Sequence, residues 1–246
     1  MWHQQRTNRH NRGFTLVELS IVLLIIALII TSVLVGQDLV RNAELRATVR
    51  QYENFTSAVG TFRTKYNGLP GDISGATNYG FVGNGNNNGV LVGDTVLDTE
   101  NVYFWNHLGA TGAELIAGTY SGVVATTSNL NVITPSVKAG VGNWGVYADT
   151  TNGINYYILG LTTPAAAASL DTADSLTPLD AKYIDSKIDD GMPNRGFVNA
   201  GIGGALAYTA PNTDCATATT SSGVYMTTTK TAAATIACTL RFKMSL

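Results

Sequence analysis

The sequence predicts an α+β protein in which one long amino-terminal helix packs on an antiparallel β-sheet region that holds an additional short helix. Three observations predict it. An almost unbroken apolar run occupies residues 19–35. A stripe of apolar residues at spacings of three and four continues over residues 45–66, which is typical of one face of a helix. From residue 101 onward, short apolar runs alternate with Gly, Asn and Thr, as in antiparallel strands.

The first element is the apolar run and the peptide that precedes it. Residues 1–13 are basic, because they contain arginines and no acidic residue. Counted from Phe14, the run reaches roughly the 20 residues that a membrane-spanning helix needs. Glu18 lies one turn inside this helix. An acidic side chain deep in a bilayer costs roughly 2.5–3.5 kcal/mol, so we expect Glu18 to have a partner there.

The segment Gly13-Phe14-Thr15-Leu16-Val17-Glu18 resembles the leader-peptidase site of type IV prepilins and type II secretion pseudopilins. The resemblance implies cleavage between Gly13 and Phe14 by a prepilin peptidase/N-methyltransferase and methylation of the new Phe14 amine. It also implies that Glu18 acts in assembly, as the buried partner of the Phe14 amine of a neighbouring copy. An ordinary signal anchor, with Glu18 reaching the membrane interface, is the simpler alternative. The basic leader, hexapeptide and apolar run in this order favour the prepilin interpretation.

The resemblance and the charge pattern together predict four segments. They are a basic leader at 1–13, which is removed, a transmembrane or assembly half of the first helix at 14–36, an amphipathic half at 37–66, and an extracellular β-rich head at 67–246. The leader's arginines place the amino terminus in the cytoplasm by the positive-inside rule. The prepilin is therefore expected in the inner membrane, and the processed chain in an extracellular filament or a periplasmic pseudopilus.

The long helix is expected to end at Asn67-Gly68-Leu69-Pro70-Gly71, where a glycine can take the left-handed cap and Pro70 prevents continuation. Residues 71–99 show no periodicity and are predicted to form a loop. Thr177 and Pro178 predict the cap and first residue of a short helix, which Gly191-Met192-Pro193 closes. Its core-facing residues are predicted to be Leu179, Tyr183, Ile184 and Ile188, and strands are predicted at 102–108, 115–125, 144–148, 154–161, 197–208, 224–228 and 235–242.

Composition narrows the class of protein. Without Arg6, Arg9 and Arg12, the 15 Lys and Arg residues of the chain become 12, against 17 Asp and Glu. This balance does not support a nucleic-acid surface, and no nucleic-acid partner is predicted. Charged residues make up 13% of the chain, which suits an extracellular β-rich domain better than a cytosolic enzyme. No catalytic site is predicted, since His107 is the only histidine outside the leader.

The two cysteines of the chain, Cys215 and Cys238, lie in the part predicted to be outside the cell, where disulfides persist. The resemblance favours a disulfide, because pilins contain similar carboxy-terminal disulfide loops. A bridge of this loop length contributes roughly 3 kcal/mol in the chain-entropy model. A metal site at these cysteines would need further ligands such as histidine.

Asn84, Asn86 and Asn88 alternate before Gly89 and imitate the opening of a calcium loop. They lack carboxylates, although Asp94 could contribute if the loop folds back. Calcium occurs in the heads of some secretion pseudopilins, so calcium is kept as an alternative to the favoured interpretation, an Asn/Gly turn without cofactor.

Three further patterns are given structural interpretations. Residues 140–145 match a dinucleotide fingerprint, but the residues directly after them are predicted to form a strand rather than the required helix. Asp185, Asp189 and Asp190 are expected to form a solvated helix end rather than an acid/base pair. The aromatic group at 103–105 is interpreted as the core of a strand.

The sequence thus predicts a structural subunit of a type IV pilus-like filament (fimbrium). It would be a helical homopolymer that forms from an inner-membrane assembly platform. A pseudopilin of a type II secretion system is the alternative, and a membrane-anchored binding or enzymatic head that never polymerises is the third possibility.

Overall fold

The computed structural model describes residues 13–91, 99–123, 130–164, 170–172, 174–201, 204–205, 214–217, 222–227 and 235–245. Nearly all of the predicted leader lies outside these residues. The chain divides into two compact units, Met1–Ala43 and Glu44–Leu246. Helix α1, Leu16–Tyr66, contributes residues to both units.

In the first unit, α1 is apolar on every side. All its large apolar side chains from Phe14 to Val40 are exposed, by 46% to 87%. By length and composition, α1 contains a stretch able to cross a membrane. A helix that is hydrophobic all round is normally covered by lipid or by other protein.

In the second unit, α1 is amphipathic and its predicted apolar stripe is confirmed. Leu45, Phe55, Val59 and Phe62 are buried, and Val49, Tyr52 and Tyr66 pack against the same core at partial exposure. The Phe55 ring lies edge-on to Trp105 and Trp144, at centroid distances of 5.0 and 5.5 Å. These aromatic contacts join α1 to the elements that come after it in the chain.

The helix ends where the sequence predicts, but a different residue provides the cap. Asn67 takes the left-handed conformation (φ 52°), and its N–H donates to the Arg63 carbonyl at 2.9 Å. Asparagine tolerates this conformation better than most residues, so the predicted glycine cap is unnecessary. Gly71 (φ 85°) instead serves a close approach, because a Cβ there would collide with the Glu100 carbonyl oxygen.

The described residues after α1, 67–91, form a loop that contains a 3₁₀ turn, Ala76–Tyr79. The next described element is helix α2, Thr99–Leu108. The predicted strand at 102–108 is therefore wrong. Its aromatic and β-branched residues favour a strand by propensity. Except for Tyr103, every residue from Glu100 to Leu108 is buried. The helix therefore has no solvated face, and its sequence lacks the polar–apolar period that marks an amphipathic helix.

In the part of the chain that the structure describes, six strands form one antiparallel sheet: β1 (Asn143–Asp149), β2 (Ile154–Pro164), β3 (Leu170–Thr172), β4 (Val198–Gly201), β5 (Gly204–Ala205) and β6 (Thr239–Lys243). Their order is β4-β6-β2-β3-β5, with β1 also paired to β2. The strand β2 is central, since it pairs with β1, β3 and β6. Tyr157 on β2 and Phe242 on β6 lie opposite each other and contact Tyr52 of α1, so α1 packs against the inner side of the sheet.

The strand predictions hold best for the hairpin β1–β2, where 144–148 and 154–161 are confirmed. The predicted strand 197–208 is replaced by the shorter β4 and β5, and of 235–242 only the end lies in β6. At 224–228 the structure has a single bridge, Ala216 to Tyr225. Residue 228 and residues 202–203 and 206–208 lie outside the described part.

None of the described residues 115–123 lies in a strand, so the predicted strand 115–125 is wrong over that range. Glu114 (φ 57°), Gly118 (φ 110°) and Gly122 (φ 66°) take left-handed backbone conformations that interrupt an extended chain. The Tyr120 hydroxyl donates to the nearby Ala117 carbonyl at 2.9 Å. The segment is therefore a folded loop that fills the core with Ile116 and Tyr120.

Helix α3, Pro178–Ile188, begins as predicted, with the Thr177 hydroxyl accepting from the Asp180 N–H at 3.3 Å. Ile184 is buried, and Tyr183 and Ile188 pack at the edge of the core. The prediction that Leu179 faces the core is wrong, since its side chain is 57% exposed. The buried face of α3 runs instead through positions 181, 184, 185 and 188, and Leu179 lies on the other side.

Candidate functional site

The amino-terminal site is a short non-helical peptide joined to the first turn of α1. Gly13 and Phe14 precede the helix and are exposed; Phe14 by 86%. A Cβ placed on Gly13 would meet nothing within 4 Å. The Gly13–Phe14 bond is thus sterically open within the described residues, as a cleavage site requires.

Thr15 and Glu18 bond to each other across the first turn. The Thr15 N–H and hydroxyl both donate to Glu18 Oε2, at 2.9 Å each, and the Glu18 N–H donates to Thr15 Oγ1 at 3.2 Å. This reciprocal arrangement is a capping box. It satisfies backbone donors at the start of α1 and places a carboxylate at the positive end of the helix dipole.

Glu18 is among the site residues predicted from the sequence, whereas Thr15 is not. The signal was present, since Thr-x-x-Glu before an apolar run is the sequence signature of a capping box. The Glu18 carboxylate completes the capping box of α1. It is also the only acidic group of the 14–36 segment. It lies four residues after Phe14, about one helical turn.

Among protein-family profiles, the prokaryotic N-terminal methylation motif matches residues 8–34. The chain carries this N-terminal methylation motif. This motif is the leader signature of type IV pilins and pseudopilins, and the match spans Gly13, Phe14, Glu18 and most of the apolar run. A comparison with curated proteins finds no match, and a comparison with solved structures finds none.

The second unit contains a disulfide between Cys215 and Cys238, with Cα atoms 5.2 Å apart and a sequence separation of 23 residues. Both cysteines are buried. Cys238 stands directly before β6, and its carbonyl accepts from the N–H groups of Ser175 and Leu176 at 2.8 and 3.0 Å. The bridge therefore joins the loop around Cys215 to a fixed point between β6 and the start of α3.

The three aspartates at the end of α3 do not form the solvated group expected from the sequence. Asp185 is fully buried, and its Oδ2 accepts from the Tyr225 hydroxyl at 2.8 Å while Oδ1 accepts from the Gly191 N–H at 3.3 Å. Burial is the main cause that raises the pKa of Asp185 to about 7. The neighbouring carboxylates of Asp189 and Asp190 raise this pKa further.

Asp189 and Asp190 have other roles. Asp189 Oδ2 accepts from the N–H groups of Phe197 and Val198, which ties α3 to the start of β4. Asp190 pairs with Arg195, with 2.6 Å between Oδ2 and Nε. One oxygen from each of the three carboxylates lies within 4.8 Å of the others. Because Tyr225 lies between the two cysteines, its bond to Asp185 also holds the disulfide loop on α3.

The candidate calcium residues form a hydrogen-bonded turn. The side-chain oxygens of Asn84, Asn86 and Asn88 accept from the N–H groups of Thr77, Asn88 and Val90, at 2.9, 3.0 and 2.8 Å. Asp94 lies outside the described residues. The sequence pattern did not point to Asp72, whose carboxylate accepts from the Asn88 and Gly89 N–H groups at 3.1 and 2.8 Å. Calcium binding stays a prediction.

His107 has a structural role in the described head. Its Nδ1 accepts from the Gly71 N–H at 2.9 Å, and Nε2 lies 3.0 Å from the Val82 carbonyl, so the neutral ring carries its proton on Nε2. Burial lowers the pKa of His107. The ring thus links the loop after α1 to α2.

The glycine-rich stretch 140–145 leads into strand β1. It does not lead into a helix whose amino terminus could bind a phosphate.

Proposed function

We propose that this chain is the precursor of a filament subunit, cleaved between Gly13 and Phe14, N-methylated on Phe14 and polymerised through α1 into a type IV pilus-like filament. The observation that carries the proposal is the methylation motif at 8–34 on a helix whose large apolar side chains are all exposed over its first unit. Monomeric soluble proteins rarely expose an apolar surface of this size.

The exposed apolar surface of α1 favours a polymer. In the membrane, lipid covers the helix before assembly. In a filament, the same helices of identical copies cover one another. Cleavage creates a cation on Phe14, and Glu18 of a neighbouring copy supplies a carboxylate in the same apolar surroundings. Leaving either charge alone there would cost several kcal/mol, so the pair sets the register between copies.

The positive leader and the apolar helix support an inner-membrane precursor with its amino terminus in the cytoplasm. The head, with its disulfide, then lies on the oxidising side. Prepilin peptidase/N-methyltransferase and an assembly platform are the partners that this proposal requires. A structural role, rather than an enzymatic one, is the role that the motif favours.

The deciding experiment is the intact mass of the protein from a sheared-filament fraction and from the membrane fraction. A chain that begins at Phe14 with one added methyl group, abundant in sheared fibres, supports the pilin proposal. The processed mass in membranes alone favours the pseudopilin of a type II secretion system. A chain that still begins at Met1 overturns the assignment of Gly13 and Phe14.

A further inference from the structure

A cleft lies between the second-unit part of α1 and helix α3. We call it the α1–α3 cleft; it has a volume of about 350 Å³ and is lined by Arg46, Val49, Arg50, Glu53, Tyr183 and Lys187. Three of these six side chains are cations and one is an anion. The proposed filament function does not account for this concentration of positive charge in a chain with more acidic than basic residues.

The α1 wall of the cleft contains two arginines four residues apart. Arg46 and Arg50 therefore lie on the same face of the helix, one turn from each other, and their like charges repel. Val49 between them is half-buried and packs against the core, which fixes the direction of this face. The α1 wall thus presents two guanidinium groups side by side.

The α3 wall adds the third cation. The Lys187 ammonium lies 5.5 Å from the centre of the Tyr183 ring, a cation–π contact between residues one turn apart. Tyr183 itself is half-buried against the core. Lys187 is therefore held at the cleft by an aromatic face rather than by a carboxylate.

The cations of the cleft have no acidic partner among the residues that the structure describes. The ion pair described in the head joins Arg195 to Asp190, and no contact of Arg46, Arg50 or Lys187 with a carboxylate is present in the described ranges. Glu53 shares the lining and offsets one charge in part. A ligand with negative charge would relieve the repulsion that remains.

We propose that the α1–α3 cleft binds a phosphate group. Arginine guanidinium groups match phosphate oxygens with two parallel hydrogen bonds, and a lysine ammonium adds a point charge. The cleft is open, so the phosphate can belong to a larger molecule whose apolar part contacts Val49 and Tyr183. The two sources with this chemistry are the headgroup of an anionic phospholipid and free phosphate. Arg46 comes only six residues after Val40, the last large apolar residue of the first unit.

The test uses the full chain in a non-ionic detergent. Native mass spectrometry measures retention of phosphatidylglycerol and of zwitterionic phosphatidylcholine, and calorimetry measures binding of inorganic phosphate. The test variant is Arg46→Gln with Arg50→Gln. The matched control is Arg63→Gln with Lys65→Gln, which removes two exposed cations from the last turn of the same helix. Near-UV circular dichroism of the buried Trp105 and Trp144 checks that both variants are folded.

We expect wild type and control to retain phosphatidylglycerol at least tenfold better than phosphatidylcholine, and the Arg46/Arg50 variant to lose this preference. That result supports the proposal with a lipid as the source. Phosphate binding by wild type and control, lost in the Arg46/Arg50 variant, without a preference between lipids supports it with free phosphate as the source. The proposal is overturned if wild type binds neither probe, or if a folded Arg46/Arg50 variant binds as wild type does.

Discussion

Replacing Asp185 by Asn should raise the stability of the head, relative to wild type, as pH rises from about 4 to about 7. The pKa of Asp185 is raised from 3.8 to about 7 in the folded protein, chiefly by burial. The folded state therefore holds a proton that the unfolded state releases between these two values. Protonated Asp185 therefore contributes its full stabilisation of the folded state below about pH 4, and this contribution is lost as pH rises to about 7.

The size of the effect comes from the shift. A difference of about three pKa units corresponds to about 4 kcal/mol at 1.36 kcal/mol per unit, and solvent screening reduces this to about 2–4 kcal/mol. Asparagine is neutral at every pH. Its side-chain oxygen can accept from the Tyr225 hydroxyl, but its amide nitrogen cannot accept from the Gly191 N–H, and this loss does not depend on pH. The difference in unfolding free energy between Asp185→Asn and wild type should therefore shift in favour of the variant by that amount between about pH 4 and about pH 7.

The assay is urea unfolding of the full chain in detergent, monitored by tryptophan fluorescence between pH 2 and 8.5, since Trp105 and Trp144 are buried. Asp149→Asn is the control with the opposite sign. A hydrogen bond from Asn152 lowers the pKa of Asp149, so this variant should be less stable than wild type at neutral pH and converge with it in acid. A gap between Asp185→Asn and wild type that does not vary with pH would refute the assignment of a raised pKa.

Three other changes test other parts of the molecule. Glu18→Ala should leave the precursor cleaved and membrane-bound but reduce filament yield by roughly tenfold or more, since each 1.4 kcal/mol lost from subunit pairing is a factor of ten. The control is Glu44→Ala, which removes an exposed carboxylate further along α1, and normal fibre yield from Glu18→Ala would contradict the proposed pairing. Replacing Cys215 and Cys238 together by Ser should lower the unfolding free energy by about 3 kcal/mol. Reducing the disulfide of the wild type should lower it by the same amount. An unchanged urea midpoint would show that the bridge does not stabilise the head. Because burial lowers the pKa of His107, stability should fall as pH drops below 6.5, where the unfolded state takes up the proton. His107→Gln should remove that slope when measured in the Asp185→Asn background, where the opposing titration is absent; an unaltered slope would assign it to other groups.

The elements that could be predicted from sequence are those fixed by local chemistry. The start of α3 could be predicted from Thr177 and Pro178, because a hydroxyl cap and a proline at the first position specify a helix start without help from the rest of the fold. The apolar stripe of α1 could be predicted from its spacing alone. The leader was identified from a short continuous motif, which the family comparison matches.

The errors arise where tertiary contacts override local preference. Helix α2 contains Val, Tyr, Phe and Trp in succession, which favours a strand by propensity. It is buried on nearly every side, so its sequence has no amphipathic period that would indicate a helix. Asp185 is followed in the sequence by Asp189 and Asp190, and such an acidic helix end is normally exposed to solvent. Its carboxylate is buried and accepts a hydrogen bond from Tyr225, 40 residues later, and no local pattern predicts that contact.

The capping box has a consequence for the geometry of processing. Thr15 caps α1 and the helix begins at Leu16, so a cut after Gly13 would leave a single residue, Phe14, ahead of the cap. The processed chain would then begin within two residues of its helix. No extended amino-terminal segment would have to fit between closely packed copies. The same cut would remove the positive charge of the leader's arginines, while the first turn needs no refolding. The capped start of α1 would therefore already have its final fold before such a cut.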